Sequence, residues 1–305
     1  MTGGRRSAWA RLGIVALNLL QPGLGLLRIG RLRLALLFLF TPLLVYALLL
    51  SWYAAGPVMT LTGYAVSSIL VLTVAAGLYL LSMLFSWRGS ALCGSPEAWW
   101  SRWYGIAALA LTAIAVSWPL PGIAHRFYEP FYMPAESMAP TLLKGDRILA
   151  SMRPGKALRR GEIVILDVRG NRYVKRIAGL PGDRIAMRAG VVVLNGRPVP
   201  QRPLAVETVA SAWGPAGATR LEEQFPGEPG PHQIYDMGPN DIDEMAQQTV
   251  KPGHVFVLGD NRDRSADSRV PAAMDGVEQL PVEKVRGRVL FQTWNPDGTL
   301  ARPIR

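Results

Sequence analysis

The sequence predicts an α-helical membrane region followed by a mainly β domain, and two observations carry this prediction. First, no Asp, Glu, Lys or Arg occurs between Leu34 and Trp87, a length of uncharged chain that suits a bilayer. Second, the apolar runs in residues 121–305 are short and bounded by Gly, Pro, Asn and Asp, as strands and turns are. The hydrophobic content of 50% also excludes a disordered chain.

The apolar segments divide the N-terminal part of the chain. Residues 1–33 contain a first stretch, Leu12–Ile29, that Pro22 interrupts, so we predict a short hairpin or interfacial segment, with a full span as the alternative. Residues 34–120 are predicted to hold about three transmembrane helices. These spans are Leu34–Tyr53, Thr60–Phe85 and Tyr104–Leu120.

Arginines predict the orientation of these spans. Residues 1–120 carry eight Arg and one Glu; six of the arginines precede Leu34, and Arg88 and Arg102 lie between the second and third spans. The positive-inside rule assigns both groups to the cytoplasm, which puts residues 121–305 on the outer face. The net charge of +11 is therefore a topology signal, and no basic helix or aromatic-interleaved basic patch indicates nucleic acid.

Residues 121–305 are predicted to form one mainly β domain. The turn signal Asn195-Gly196 predicts a two-residue hairpin between Val191–Leu194 and Arg197–Val199. A helix is predicted at Asp241–Gln248, and residues 200–250 are predicted to be an insertion or cap with long loops. The further predicted strands are Glu162–Asp167, Tyr173–Ile177, His254–Leu258 and Val289–Thr293.

Several kinds of site are missing from the sequence. The three histidines, His125, His232 and His254, have no metal-ligand spacing, and His254 is expected to be structural. The single cysteine, Cys93, excludes an internal disulfide and a cysteine-rich metal site. There is no G-x-S-x-G motif and no phosphate-binding loop. A hydrolytic site must therefore work without a histidine base, and we expect no metal and no cofactor.

The first segment that suggests chemistry holds a serine between two prolines. Ser137 lies between Pro134 and Pro140, directly after the last predicted span. Prolines fix the backbone, and a fixed backbone helps to orient a nucleophile. The alternative is a rigid juxtamembrane turn in which the serine is incidental.

The second segment is a short strand, Arg172–Ile177. Side chains alternate in a strand, so Lys175 shares a face with Tyr173 and Ile177. A lysine among apolar neighbours has a lowered pKa and can act as a general base. The alternative is a lysine whose stem lies along the sheet and whose ammonium group reaches water.

The third segment, Gly259–Arg269, contains three Asp and three Arg and follows an apolar strand. Such a run is usually a solvated loop. Here Asp–Arg pairs would make the loop rigid, and Ser265 would donate a hydrogen bond to a base.

Together these segments resemble the bacterial type I signal peptidases, which are membrane-bound serine proteases with a Ser/Lys dyad. The match runs in the family's order from about Phe131 to Arg269. Its motifs are Pro134 with Ser137-Met138-Ala139-Pro140-Thr141-Leu142 and Gly145-Asp146, then Tyr173-Val174-Lys175-Arg176 with Gly179-Leu180-Pro181-Gly182-Asp183, then Gly259-Asp260-Asn261-Arg262-Asp263 with Ser265, Asp267, Ser268 and Arg269.

The resemblance implies a two-lobed antiparallel β fold on the outer face of a bacterial inner membrane, in contact with the lipid bilayer. It implies removal of signal peptides from secreted preproteins by cleavage after small residues. Ser137 would be the nucleophile and Lys175 the general base. In support, Ser265 would orient the lysine amine, Asp267 and Arg269 would form an ion pair, and Met138 would pack against the base. The residues expected to help form the substrate pockets are Phe131, Met133, Leu142, Ile148 and Tyr173.

One position departs from the best-known branch of the family. That branch has a serine two residues before the nucleophile, whose hydroxyl helps to form the oxyanion hole, and this chain has Ala135. The site cannot use that donor, although the backbone N–H of Ser137 is retained.

Other functions share some of these sequence features. A maturation peptidase of a conjugation-type system would differ mainly in substrate, and an inactive homologue would bind preproteins without cleaving them. A self-cleaving repressor lacks membrane spans and the Gly259–Arg269 segment, and a transporter would carry charged residues inside its spans. Nothing in the sequence specifies an oligomeric state.

Overall fold

The structure is a computed structural model that describes residues 6–55, 60–91, 98–153, 157–209 and 214–304. The chain divides into two compact units, Met1–His125 and Arg126–Arg305. The first is helical and the second is built from antiparallel β-sheets, which confirms the predicted fold class. Cys93 lies outside the described residues.

Six helices form the first unit, and among the described residues three segments are long and apolar enough to cross a membrane, namely Leu32–Trp52, Leu61–Ser90 and Trp103–Ala124. The predicted spans each overlap one of these segments. The helices are α1 (Ala8–Leu20), α2 (Leu24–Arg28), α3 (Leu32–Ala55), α4 (Leu61–Ser90), α5 (Trp103–Ser117) and α6 (Leu120–Ala124).

The interrupted first stretch forms two short helices joined by a turn at Pro22. The next residue, Gly23, has φ +101°, and a Cβ there would lie 2.6 Å from the Ala35 carbonyl oxygen, so the turn requires glycine. The buried side chain of Asn18 closes the turn, because its Oδ1 accepts from the N–H groups of Gly23 (3.0 Å) and Gly25 (3.2 Å).

The same asparagine joins this turn to α4. Its Nδ2 donates to Ser86 Oγ (3.0 Å), and Ser82 Oγ donates to its Oδ1 (2.6 Å). Nearer the end of α4, Arg11 donates to Ser90 Oγ (3.2 Å) and to the Trp87 carbonyl (3.0 Å). A buried polar network of this kind is stable in an apolar setting because its members satisfy one another.

The described residues of the second unit form fifteen strands. Those in its first half are β1 (Tyr128–Tyr132), β2 (Arg147–Ser151), β3 (Ile163–Val168), β4 (Asn171–Gly179), β5 (Arg184–Arg188), β6 (Val191–Leu194), β7 (Arg197–Pro198) and β8 (Gln201–Val209). Those in its second half are β9 (Ala216–Glu223), β10 (His232–Asp236), β11 (Met245–Thr249), β12 (His254–Leu258), β13 (Leu280–Pro281), β14 (Val285–Trp294) and β15 (Leu300–Pro303).

These strands make three antiparallel sheets. The largest has eight strands in the order β1-β2-β14-β3-β4-β12-β13, with β15 paired to β14. A three-stranded sheet has the order β10-β9-β8, and a four-stranded sheet has the order β11-β5-β6-β7. Strand β4 is therefore central in the large sheet, between β3 and β12.

Strand β3 explains why the middle of the large sheet is apolar on both faces. Its residues Ile163 and Ile165 pack into one buried cluster, whereas Val164 and Leu166 pack into another. Since successive side chains of a strand point to opposite faces, both faces of β3 are covered. A continuous apolar run is the expected sequence of such a strand.

The predicted strands are confirmed, and so is the hairpin, in which Asn195 (φ 53°) and Gly196 (φ 80°) form the two-residue turn between β6 and β7. Two predictions for residues 200–250 are wrong. Strands β8, β9 and β10 occupy much of the region predicted as long loops, and Asp241–Gln248 is a short 3₁₀ turn at Asp241–Asp243 followed by β11. The polar residues of β11 fit its exposed strand and not the face of a helix.

Candidate active site

Ser137 lies in the connection between β1 and β2, and buried neighbours fix its backbone. The side chains of Met138 and Leu142 are fully buried, and the Leu142 N–H donates to the Met138 carbonyl (2.8 Å). The two ends of the connection are tied by the Met133 N–H, which donates to the Asp146 carbonyl (2.9 Å). Ser137 itself is half-buried, so the turn holds the serine rigidly while leaving it partly accessible.

Lys175 lies in the middle of β4, and only 2% of its surface is exposed. It pairs across the sheet with Val164, and Tyr173 and Ile177 pack into the cluster on that face. Burial lowers the pKa of Lys175 to about 8, against the opposing effect of the Asp267 carboxylate. A substantial fraction of the amine is therefore neutral near pH 8, as a general base must be.

The Gly259–Arg269 segment follows β12 and is held by a buried ion pair. Arg269 donates through Nε to Asp267 Oδ1 and through Nη2 to Asp267 Oδ2, both at 2.9 Å. Asp267 Oδ2 also accepts from the Gly259 N–H (2.9 Å). Although burial raises the pKa of Asp267, Arg269 outweighs that effect and keeps this pKa below its ordinary value. The predicted Asp–Arg pairing is present.

Gly259 is the point at which the serine turn meets this segment. A Cβ on Gly259 would lie 2.2 Å from Ser265 Oγ and 2.5 Å from the Ser137 carbonyl oxygen. The same carbonyl accepts from the Asn261 N–H (3.2 Å). Ser265 Oγ is buried and has no hydrogen-bond partner among the described residues, so it is free to bond to an amine. Ser137 and Ser265 therefore both lie next to Gly259. The N–H of Gly259 donates to the Asp267 carboxylate, which raises the pKa of Lys175.

A further ion pair flanks both serines. Arg264 Nη1 lies 3.3 Å from Glu136 Oε2, and these residues immediately precede Ser265 and Ser137. The pair joins the serine turn to the Gly259–Arg269 segment from the opposite end.

The residues expected to contact substrate differ in exposure. Ala135 is exposed, and Phe131 and Tyr173 are partly exposed. The others pack in one buried cluster that also contains Met138, with Phe131 and Val174 against it. The members of this cluster among the expected residues are Met133, Leu142 and Ile148.

A second set of buried charged residues borders the site, and its pairings were not predictable from the sequence. Arg176, which follows Lys175, donates through Nε and Nη2 to Asp260, which follows Gly259 (2.8 and 2.7 Å). Arg262 pairs with Glu223 on β9 in the same bidentate manner. The charge-rich segment signalled pairing, but partners on β4 and β9 are distant in sequence.

Comparison with known proteins agrees with these features. The profile of the family described as "Signal peptidase, peptidase S26" matches residues 102–294, more than half of the chain. A signal peptidase I of Bacillus licheniformis is 34% identical over 168 residues, which cover 54% of this chain and 75% of that protein.

Two other relatives are similar. A signal peptidase I of Pseudomonas aeruginosa is 30% identical over 54% of this chain and 64% of its own length. The crystal structure of a signal peptidase I from Enterococcus faecalis shares 26% identity over 44% of this chain and 97% of that chain, with a TM-score of 0.25. On the strength of the family match, this chain belongs to the signal peptidases of family S26 and is a serine endopeptidase.

Proposed function

We propose that this protein is a membrane-anchored endopeptidase that removes signal peptides from secreted preproteins with a Ser137/Lys175 dyad. The observation that carries the proposal is that Ser137 and Ser265 both lie next to Gly259. The N–H of Gly259 donates to Asp267, whose charge influences the pKa of the buried Lys175, which is about 8. The names of its relatives support the substrate.

The dyad performs acyl transfer in two steps. Ser137 Oγ attacks the carbonyl carbon of the scissile bond while neutral Lys175 Nζ takes the hydroxyl proton. The lysine then gives that proton to the leaving amine, and an acyl-enzyme forms. In the second step Lys175 takes a proton from water, whose oxygen attacks the ester carbon. Lys175 then gives that proton to the leaving Ser137 Oγ, which releases the signal peptide with a new carboxyl group and restores the serine hydroxyl and the neutral amine.

Supporting groups orient the base. Ser265 Oγ, buried and free of other partners among the described residues, accepts a hydrogen bond from the amine and directs its lone pair toward Ser137. The Asp267–Arg269 pair holds the loop that carries Ser265. Desolvation of Lys175 requires this rigid surrounding, because a mobile loop would admit water and restore the ordinary lysine pKa.

The accessible residues of the site contact the substrate. Ala135, Phe131 and Tyr173 have exposed surface, and Phe131 packs against the buried apolar cluster that contains Met133, Leu142 and Ile148. A shallow pocket with an apolar base admits small side chains and rejects larger ones by steric clash. This arrangement supports cleavage after small residues.

The helical unit supports membrane anchoring and a topology with the catalytic domain outside. Arg11, at the start of α1, and Ile29, after α2, both contact the C-terminal end of α4, at Ser90 and Gly89 respectively. The turn between α1 and α2 reaches only Ser82, about 12 Å deeper at 1.5 Å per residue. A bilayer core is about 30 Å thick, so α1 and α2 enter and leave on one side. The six arginines near this hairpin make that side the cytoplasm.

A cleavage experiment tests the proposal. Purified enzyme in detergent is incubated with a labelled preprotein, and the products are identified by mass spectrometry. We expect one cut after a small residue at the end of the signal peptide, and no cut when that residue is replaced by Phe. An enzyme that binds the preprotein but leaves it intact would instead be an inactive homologue.

A further inference from the structure

Six charged or titratable side chains form a buried cluster next to the proposed dyad. They come from β4, from β9, β10 and the connection between those two strands, and from the segment after β12. All six side chains are nearly inaccessible to solvent. The cluster consists of Arg176, Glu223, Glu228, His232, Asp260 and Arg262.

Each arginine of the cluster has one close carboxylate partner, Asp260 for Arg176 and Glu223 for Arg262. Glu228 lies farther from Arg176, with Nη1 at 3.5 Å, and it also accepts from the Phe225 N–H (3.0 Å) and contacts His232. His232 Nδ1 lies 3.0 Å from both carboxylate oxygens of Glu228, and its Nε2 lies 3.4 Å from Glu223 Oε2. Nδ1 is therefore within hydrogen-bonding distance of Glu228, whereas Nε2 lies next to the Glu223 carboxylate without a hydrogen-bond partner among the described residues.

This geometry suits the imidazolium form, which donates at both nitrogens, whereas a neutral ring would direct a lone pair at a carboxylate. Charge balance agrees, because two arginines and three carboxylates sum to zero only when His232 is positive. Burial and Arg176 lower the pKa of His232, but Glu223, Glu228 and Asp260 raise it further, so this pKa lies above its ordinary value. Arg262 is paired to Glu223, which reduces its repulsion of the ring.

The cluster is connected to the dyad through the backbone. The Tyr235 N–H on β10 donates to the Asp260 carbonyl (2.9 Å), and the Arg262 N–H donates to the Tyr235 carbonyl (2.9 Å). Between these two bonds, the Asn261 N–H donates to the Ser137 carbonyl. A shift of β10 against this segment would therefore displace the nucleophile.

We propose that His232, as an imidazolium between Glu223 and Glu228, is a positioning residue that holds the three-stranded sheet on the Asp260–Arg262 segment and so sets the place of Ser137. The proposal rests on the Ser137/Lys175 dyad proposed above. Loss of the proton leaves one uncompensated negative charge in a buried cluster, which favours separation of the sheet from the segment. Activity then falls as pH rises through the pKa of His232, while neutralisation of Lys175 makes it rise.

The test compares kcat of wild type and His232→Gln across pH, with His254→Gln as the matched control. His254 lies at the start of β12 and its Nδ1 bonds only to the Pro252 carbonyl (2.9 Å) among the described residues. We expect His232→Gln to lower kcat about 10- to 100-fold at the acidic end of the range, with little change in KM. The ratio of the wild-type kcat to the His232→Gln kcat should approach one at alkaline pH, because wild-type His232 is then neutral as well. A ratio that stays constant with pH would refute the proposal.

A charge-restoring variant distinguishes charge balance from packing. His232→Gln combined with Glu228→Gln returns the cluster to zero net charge. We expect the kcat of this double variant to be at least about tenfold higher than that of His232→Gln alone. A double variant that is no better than His232→Gln alone would contradict charge balance.

A measurement on the native residue covers the case in which these variants fail to fold. In His125→Gln/His254→Gln, His232 is the only histidine of the chain, and its imidazole is titrated by NMR in detergent. We expect a pKa above the ordinary value of an imidazole, and a pKa at or below that value would overturn the proposal. This titration is independent of the dyad, whose own failure would appear as cleavage by Ser137→Ala.

Discussion

Lys175 illustrates how a single position determines chemistry. The alternation of side chains in Arg172–Ile177 predicts that Lys175 shares a face with Tyr173 and Ile177, and the structure confirms that these two neighbours pack into one cluster. The degree of burial was not predictable from the segment, because β3 and β12 cover it from either side. The balance between desolvation and Asp267 likewise depends on a contact between residues far apart in sequence.

The first prediction concerns pH. Protonated Lys175 cannot accept the Ser137 proton, so the ascending limb of the kcat/KM profile should have an apparent pKa near 8, and the loss of activity proposed for deprotonation of His232 would be a separate, descending effect. A free lysine would give this limb near ~10.4. The profile is measured with a peptide substrate that lacks titratable groups near the cut. A limb near 10 would show that Lys175 is solvated in the working enzyme.

A second prediction concerns the oxyanion hole at Ala135. One hydrogen-bond donor in such a hole is typically worth ~10²–10³ in turnover. We propose that a second donor, in addition to the Ser137 N–H, serves the hole, and we therefore expect Ala135→Ser to leave kcat unchanged or to lower it because the added oxygen crowds the site. Steady-state kinetics with unchanged KM is the readout. A large gain in kcat would mean that the hole has an empty position.

At the scale of elements, the Gly259–Arg269 segment brings together groups from three parts of the chain. Gly259 lies next to both Ser137 and Ser265. Asp267 pairs with Arg269, and Asp260 pairs with Arg176 on β4. The segment is thus a rigid extension of the large sheet and not a solvated loop. Its order depends on pairings that cross sheets, which is why composition alone left both descriptions open.

This gives a third prediction, that Gly259→Ala inactivates the enzyme. The new Cβ would lie 2.2 Å from Ser265 Oγ and 2.5 Å from the Ser137 carbonyl oxygen, so one of the two must move. We expect kcat to fall about 10²-fold or more. Gly217→Ala on β9 is the control, since nothing lies within 4 Å of its Cβ and activity should be retained. Equal activity of the two variants would contradict the close packing of Ser137 and Ser265 against Gly259.

Residues 200–250 show where sequence patterns were insufficient at this scale. Pro, Gly, Glu and Gln are typical of loops, yet β8 and β9 pair along most of their lengths. Their exposed faces need no apolar residues, so the alternation that predicts a strand is weak there. The prediction of a helix at Asp241–Gln248 was wrong for the same reason. Strands with strong apolar character, such as His254–Leu258, were predicted correctly.

At the scale of the whole molecule, the chain combines a helical unit of membrane-spanning character with a β unit that carries the proposed chemistry. Charge patterning predicts the side on which each unit lies, and the contacts of Arg11 and Ile29 with the end of α4 explain why α1 and α2 need not cross. The sequence alone does not decide whether Leu12–Ile29 crosses, because our proposal that it does not cross depends on contacts of Asn18 with Ser82 and Ser86, which are far from it in sequence.

A fourth prediction tests this topology by labelling with a membrane-impermeant thiol reagent in a Cys93→Ser background. Cysteines at Val206 and Met274, which are 82% and 70% exposed, should react from outside intact cells. Cysteines at Ser7 and Leu32 should react only after the membrane is opened. Labelling of Ser7→Cys alone from outside would show that the first hairpin crosses, and labelling of both inner positions would reverse the whole orientation.

The most direct test of the Ser137/Lys175 dyad compares single-turnover cleavage by Ser137→Ala, Lys175→Met and wild type. Methionine keeps the apolar stem of Lys175 in its buried position and removes the amine. Because nucleophile and base act as one unit, we expect each variant to lose about 10³-fold or more of the cleavage rate while staying folded and membrane-bound. Cleavage by folded Lys175→Met at a rate near that of wild type would contradict the dyad.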